Sequence, residues 1–370
     1  MEQWWRPERF ALRRERLEKR VRMLAVVRGF FAGEGFVEVD TPALQVSPGL
    51  EPHLRAFSTD LHDPGDGRTV RRYLHTSPEF AMKKLLAAGM PRIWQLAHVF
   101  RDGERSATHH PEFSMLEWYR AGATWRDLVL DCVGLVRACQ AAAHSPSPSG
   151  PGSIRPSTDR WNGAIEREEG LVWRARSADA REPWREISVA EAFREYCRID
   201  ILATAPNPLN PDLELLAPEA RRIGIEPHAG DDWDTLYFRI FLDRIEPFLG
   251  IGAPTILYDF PAAMAALSRR NRADPRLAER FELYVCGLEL ANAFGELTDP
   301  AEQRARFLAD QARKQALYGE TYPIDDDFLA ALAYLPSDCA GIALGFDRLV
   351  MLAAGAKQIA DVIAFPIDRA

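Results

Sequence analysis

Cys339-Ala-Gly-Ile-Ala-Leu-Gly-Phe-Asp-Arg-Leu-Val-Met351 is the stretch whose reading decides the fold. A short small-residue strand reaches Gly345, and a helix starts at once with Asp347 and Arg348. A bare glycine lets backbone approach a ligand closely. A helix N-terminus offers unpaired N–H groups and a partial positive charge to anions. Arg348 adds a planar cation suited to phosphate. Glycine is a common boundary residue, so the motif needs a partner.

The partner is Val99-Phe-Arg-Asp-Gly-Glu-Arg-Ser-Ala-Thr-His-His-Pro-Glu-Phe-Ser-Met-Leu-Glu-Trp-Tyr119. It sets a second arginine, Arg101, on a strand that leads into a polar loop and back out. Two distant arginines, each beside a Gly-containing turn, suggest one polyphosphate held from two sides.

The chain has 370 residues, 47% hydrophobic and 27% charged, enough for a sizeable core. Its net charge of −8 does not favour broad, sequence-independent nucleic-acid binding. The cysteines Cys132, Cys139, Cys197, Cys286 and Cys339 form no Cys-x-x-Cys pair and no zinc spacing with histidine. They read as reduced, mostly buried residues of a cytoplasmic protein. No apolar run approaches the ~18 residues of a membrane span, and Met-Glu-Gln-Trp-Trp-Arg begins no signal peptide.

Helical spacing of Leu17, Val21, Leu24, Val27 and Phe31 predicts a first helix from about Pro7 to Phe31. Phe36-Val-Glu-Val-Asp-Thr-Pro42 then alternates as a strand closed by proline. In Ser77-Pro-Glu79, Ser77 suits an N-cap, Pro78 a first helical position and Glu79 a first turn. Ile93 to Tyr119 reads as a hairpin whose alternation places Phe113, Met115, Glu117 and Tyr119 on one face. A carboxylate and a phenol among apolar neighbours need a partner, and a bound ammonium is one.

Ser145-Pro-Ser-Pro-Ser-Gly-Pro-Gly-Ser153 is low-complexity sequence that cannot bury a core. Residues 142–185 are therefore expected to be a flexible insertion. Glu186 to Tyr196 and Trp233 to Phe248 read as helices, Pro254 to Pro261 and Ala278 to Gly287 as strands. In Leu288-Glu-Leu-Ala-Asn-Ala-Phe-Gly-Glu-Leu-Thr298, Ala291, Ala293 and Gly295 are expected to form an open face for a ligand. Glu289 and Glu296 bracket that run. Both face one site only if a bulge intervenes, expected at Gly295.

Taken together, these segments resemble motifs one, two and three of class II aminoacyl-tRNA synthetases of the lysyl type. The resemblance spans nearly the whole chain except 142–185. It implies one α+β catalytic domain over 1–370, a mainly antiparallel sheet with flanking helices, dimeric through the motif-one region. The first helix begins almost at the N-terminus, so no N-terminal anticodon-binding OB-fold is expected. Ala343 stands where the tRNA enzymes have Gly. Ala278-Glu-Arg-Phe-Glu, Pro111-Glu-Phe-Ser-Met-Leu-Glu-Trp-Tyr-Arg120 and Val362-Ile-Ala-Phe-Pro-Ile-Asp-Arg-Ala370 are most similar to the shortened branch that ligates (R)-β-lysine onto elongation factor P.

That resemblance implies ATP as co-substrate, Mg²⁺, a small diamino acid, elongation factor P as protein substrate and no tRNA. It implies that Arg101, Arg348 and Glu289 are catalytic. ATP is expected at Arg101, Asp102, Gly103, His110, Phe113, Glu289, Leu290, Gly345 and Arg348. The amino acid is expected at Ser77, Pro78, Glu79, Glu117, Tyr119, Glu296 and Ala343, and the metal at Glu289 and Glu296. The loop departs from the family: Asp102-Gly103 replaces the usual Asn-Glu and His110 an Asn, so Glu104 is an alternative adenine contact. Three other readings stay open: a truncated lysyl-tRNA synthetase activating α-lysine, a non-catalytic amino-acid-binding paralogue, and a ligase making a free amide from a small acid and ammonia.

Overall fold

The computed structural model describes residues 5–145 and 170–367. Its centre is an eight-stranded sheet built from β1 (Val37–Glu38), β5 (Arg92–Phe100), β6 (Glu112–Ala121), β9 (Arg185–Ser188), β10 (Thr255–Pro261), β11 (Leu277–Val285), β12 (Leu288–Gly295) and β13 (Cys339–Gly345). Their spatial order is β1-β5-β6-β13-β12-β11-β10-β9. The six inner strands pair antiparallel, and only the edge strands β1 and β9 join in parallel. The small strands β2 (Leu44–Gln45), β3 (Ser58–His62) and β4 (Thr69–Leu74) form a separate sheet. The expected α+β architecture is present.

One face of the large sheet is closed by α1 (Pro7–Gly33), α3 (Trp125–His144) and α9 (Phe346–Ala353). Met23, Val27 and Phe31, four residues apart on α1, are fully buried there, and Phe31 stacks on Trp94 at 4.9 Å. Each such side chain contributes about 1.5–3 kcal/mol on burial. Val21, expected on this stripe, points to solvent instead. A second cluster forms where α4 (Val189–Cys197), α5 (Leu213–Arg222) and α6 (Trp233–Arg244) pack on β10. A third gathers α2 (Glu79–Ala87), α7 (Pro300–Tyr318) and α8 (Asp326–Leu332).

The flanks of the expected insertion belong to the core. Helix α3 continues to His144, burying Cys139 and Ala143. Strands β7 (Leu171–Trp173) and β8 (Arg176–Ala178) form a hairpin with Leu171, Trp173 and Ala178 buried in the main cluster. The Ala180 N–H donates to Gln140 Oε1 at 2.8 Å, and Arg137 Nε donates to the Ala180 carbonyl at 2.7 Å, tying the segment to α3. Residues 146–169, which hold nearly all of the low-complexity run, lie outside the described residues. Glu186 is in strand β9, and the helix starts only at Val189, with Ser188 and Glu191 as its capping box.

The remaining correction concerns β12. Between its pairs Leu283–Ala291 and Tyr284–Glu289 the register shifts, so the extra residue is Leu290 and not Gly295. Ala293 consequently faces the buried core, and Ala291, buried in the same cluster, still borders the cavity. Gly295 is crowded, because an added Cβ would lie 2.5 Å from Glu279 Oε2. The five cysteines are buried and unbridged, and no helix among the described residues is long and apolar enough to cross a membrane.

Candidate active site

The face of the sheet opposite α1 and α3 carries the site. Strand alternation sends Leu116 and Trp118 of β6, Ile342 and Leu344 of β13, and Ala291 and Ala293 of β12 into the core. Their neighbours face the other way. Glu117, Ala343 and Asn292 are paired in register across the three strands, forming one row. Gly341 is paired with Tyr119 and Gly345 with Met115 on either side of it. Above this floor lies a cavity of about 490 Å³ bordered by Ser77, Glu79, Arg101, Phe113, Glu289, Leu290, Asn292, Phe294, Ala343, Gly345 and Arg348.

One end is cationic. Arg101 Nε donates to the Thr76 carbonyl at 3.3 Å, and its guanidinium lies 3.6 Å from Glu104 and 5.3 Å above the Phe113 ring. Arg348 donates to the main-chain carbonyl of Glu289 and, more weakly, to the Thr108 carbonyl at 3.4 Å. Burial lowers the Arg348 pKa, Glu289 opposes that and Arg101 adds to it, so the two guanidiniums sense each other. Nothing inside the protein requires glycine at Gly345: its φ is −69° and an added Cβ meets nothing closer than 3.5 Å. The open space beside it belongs to the cavity.

The loop expectations divide. Asp102 and Gly103 do not line the cavity. Asp102 turns to Arg55, whose guanidinium is 3.8 Å away, and Gly103 makes the turn at φ +82°. Glu104 lines the wall in their place. His110 reaches the wall, but both ring nitrogens are engaged: Nδ1 with the Glu112 carbonyl at 2.5 Å, and Nε2 accepting the Ile367 N–H at 3.0 Å.

The other end is acidic. Ser77 accepts the Glu79 N–H at 3.1 Å, as a residue capping α2 does, and its hydroxyl donates to Glu117 at 2.6 Å. Tyr119 donates to the other Glu117 oxygen at 2.8 Å. Burial, reinforced by Glu79, pushes the Glu117 pKa up to about 8. Glu296 is 1% exposed, and burial raises its pKa too, against the pull of Lys83. Pro78 sits behind this wall in a small crevice with Ser77 and Glu79.

The expected metal pair does not meet. Seven residues of strand separate Glu289 from Glu296 by roughly 20 Å. The carboxylate near Glu289 is Glu282 of β11, which lies one diagonal step across the hairpin and accepts the Tyr284 hydroxyl at 2.5 Å. Burial raises the Glu289 pKa, with Glu282 the next cause. The other Glu282 oxygen is ion-paired to Arg280 at 2.5 Å, so Glu289 is the carboxylate open to a hard divalent cation, with Glu282 behind it and phosphate oxygens completing the shell. Among the described residues no group of three His, Cys, Asp or Glu forms a metal cage by itself.

Four residues escaped the sequence reading. Glu282 and Asn292 were hidden by the unplaced bulge, and the Asn292 Oδ1 is buried at the cavity without a partner. Gly341 is where an added Cβ would lie 2.2 Å from the Tyr119 ring. Lys83 had a visible signal, its i,i+4 spacing from Glu79.

A cationic, glycine-floored end and a buried carboxylate end on one antiparallel sheet define the catalytic architecture of the class II synthetases. The family described as tRNA synthetases class II (D, K and N) matches residues 6–369, and this chain belongs to it. It is similar to the elongation factor P–(R)-β-lysine ligase of Proteus mirabilis (strain HI4320), 37% identical over 356 residues, covering 96% of this chain and 95% of the relative. The protein of the same name from Salmonella typhimurium is 38% identical over 359 residues, with the same coverage of each.

Proposed function

We propose that this chain is an AMP-forming ligase that activates (R)-β-lysine and transfers it to a lysine side chain of elongation factor P. The observation that carries the reading is the polarity of one cavity: two arginines and Gly345 at one end, the half-buried Glu79 at the other with the buried Glu117 and Glu296 behind it, and Ala343 in the floor beside Glu117. ATP suits the first end and a diamino acid the second. The printed names of relatives at 37–38% identity support the choice of amino acid and acceptor.

The substrate carboxylate attacks the α-phosphorus, pyrophosphate leaves and an acyl-adenylate forms. The acceptor lysine amine then attacks the acyl carbon, and AMP departs with the electron pair of the broken C–O bond. Arg101 and Arg348 neutralise charge on the phosphates, and Phe113 offers its ring face to adenine. Ser77, Glu79, Glu117, Asn292 and Glu296 orient the ammonium groups. Glu289, with Glu282 behind it, would hold Mg²⁺, which supplies charge neutralisation at the leaving pyrophosphate. Catalysis is therefore positioning and preorganised charge. A homodimer fits the exposed Val37, Leu44 and Val46 beside the first helix, and sedimentation at micromolar concentration tests it.

ATP–pyrophosphate exchange with α-lysine and both β-lysine enantiomers, followed by transfer to elongation factor P or to tRNA, tests the reading. Preference for (R)-β-lysine and transfer to the protein is the expected result. Preference for α-lysine with tRNA charging replaces it by a truncated lysyl-tRNA synthetase.

A further inference from the structure

Lys83 lies on α2, one turn after Glu79, and is 1% exposed. Its ammonium is 2.5 Å from Glu79 Oε1 and 2.5 Å from Glu296 Oε2. Burial alone would lower its pKa, but Glu296 and Glu79 more than offset this, so it stays charged. Neither Glu296 oxygen accepts a hydrogen bond; Oε2 has its ion-pair contact with Lys83, and Oε1 has no partner of either kind. It is turned toward Gly341, where an added Cβ would lie 2.3 Å away, on the side of the Tyr119 ring. The other charged and titratable groups packed around this cluster are Glu51 beside Glu79, Glu117 and Tyr119 on β6, Arg269 ahead of β11, and Cys339 on β13. Arg269 is itself paired with Glu279 at 2.7 Å.

A salt bridge that served α2 alone would need only Glu79, and would sit at the surface where desolvation is small. Lys83 instead reaches through the wall to a carboxylate on a distant segment. Its charge also changes the count. Glu79, Glu117 and Glu296 as carboxylates carry three negative charges, of which Lys83 cancels one, while burial and Glu79 push the neighbouring Glu51 toward its neutral form. Two remain, matching the two ammonium groups of a diamino acid, and buried charge is tolerable only when so matched.

We propose that Lys83 is a positioning residue for amino-acid recognition: its ammonium takes one oxygen each of Glu79 and Glu296, orients both carboxylates and leaves their second oxygens to the substrate. The inference deepens the diamino-acid reading and rests on it. It makes Lys83 a built-in counter-ion that opposes the rise burial causes in the Glu296 pKa. Without it Glu296 holds its proton to higher pH, and ammonium binding fails earlier on acidification.

The test is the KM for (R)-β-lysine and for α-lysine in ATP–pyrophosphate exchange between about pH 6 and 9, on the full chain. K83Q is expected to raise KM about 10- to 100-fold at pH 7, to move the acid limb of kcat/KM to higher pH, and to change kcat less than KM. K83R keeps the charge and is expected to leave the acid limb at the wild-type pH. A folded K83Q with an unmoved acid limb, or one that loses kcat at unchanged KM, overturns the proposal. If K83Q does not fold, K83R decides: an acid limb displaced despite the retained charge overturns it. Wild-type enzyme that exchanges with neither lysine isomer removes the diamino-acid reading and this inference with it.

Discussion

Ser77 and Glu117, forty residues apart, meet through a 2.6 Å hydrogen bond that joins the turn before α2 to the central strand β6. The same hydroxyl accepts the Glu79 N–H, so one side chain both starts a helix and orients a buried carboxylate. S77A should cost about 1 kcal/mol of stability through the lost cap. It should also raise the amino-acid KM while leaving the KM for ATP nearly unchanged. Urea unfolding and exchange kinetics check the two effects separately.

Glu117 makes amino-acid binding proton-linked. Its folded pKa of about 8 is above the ordinary carboxylate value, so its neutral form stabilises the free protein. That contribution is fully present below about pH 4 and is lost as pH rises through about 8. An arriving ammonium pulls the pKa down and expels the proton. Calorimetric titration in buffers of different ionisation enthalpy should show proton release near pH 7 that fades above pH 8, and E117Q should reduce it.

Arg101 is held by Thr76 and Glu104 over the Phe113 ring, a preorganised cation at the cationic end of the cavity. R101A should slow adenylate formation on the order of 100-fold or more, at least ~3 kcal/mol of barrier. Single-turnover pyrophosphate release measures it.

The metal reading separates three glutamates. E282Q and E289Q should each raise the Mg²⁺ concentration for half-maximal exchange by about 10-fold or more. E296Q should instead raise the amino-acid KM and leave the Mg²⁺ dependence in place. Chelation should abolish exchange and added Mg²⁺ restore it.

Ala343 lines the cavity between Glu117 and Asn292 and packs against the Ala97, Val99 and Met115 cluster. A343G should narrow the preference for (R)-β-lysine over α-lysine, read as the ratio of kcat/KM values. Gly341 permits no such change. Its added Cβ would press on the Tyr119 ring and on Glu296, so G341A should abolish amino-acid activation.

Leu171 tests the corrected boundary of the insertion. It is fully buried against the main core, so L171A should destabilise the protein by about 2–5 kcal/mol. An insertion lying free of the core would show no such loss.

What the sequence determined by itself was local. The strand–Gly–helix at 339–351 and the hairpin at 93–119 depend on residues a few positions apart and stand where they were expected, whereas α2 begins at Glu79 with Pro78 at its N-cap, one residue later than expected. Alternation placed Phe113, Met115, Glu117 and Tyr119 on one face because a strand leaves no other choice. The tertiary structure decided what local rules leave free. A bulge at Leu290 reversed the faces of β12 beyond it and sent Ala291 and Ala293 into the core, while the length of the strand keeps Glu289 from Glu296. A low-complexity run hid the hairpin at 171–178, because burial of Leu171 and Trp173 depends on contacts with distant segments. The partner of Lys83 across the site, Glu296, lies 213 positions further along the chain (296 − 83). Register and long-range ion pairing are set by the packing of elements against each other, and no window of sequence contains them.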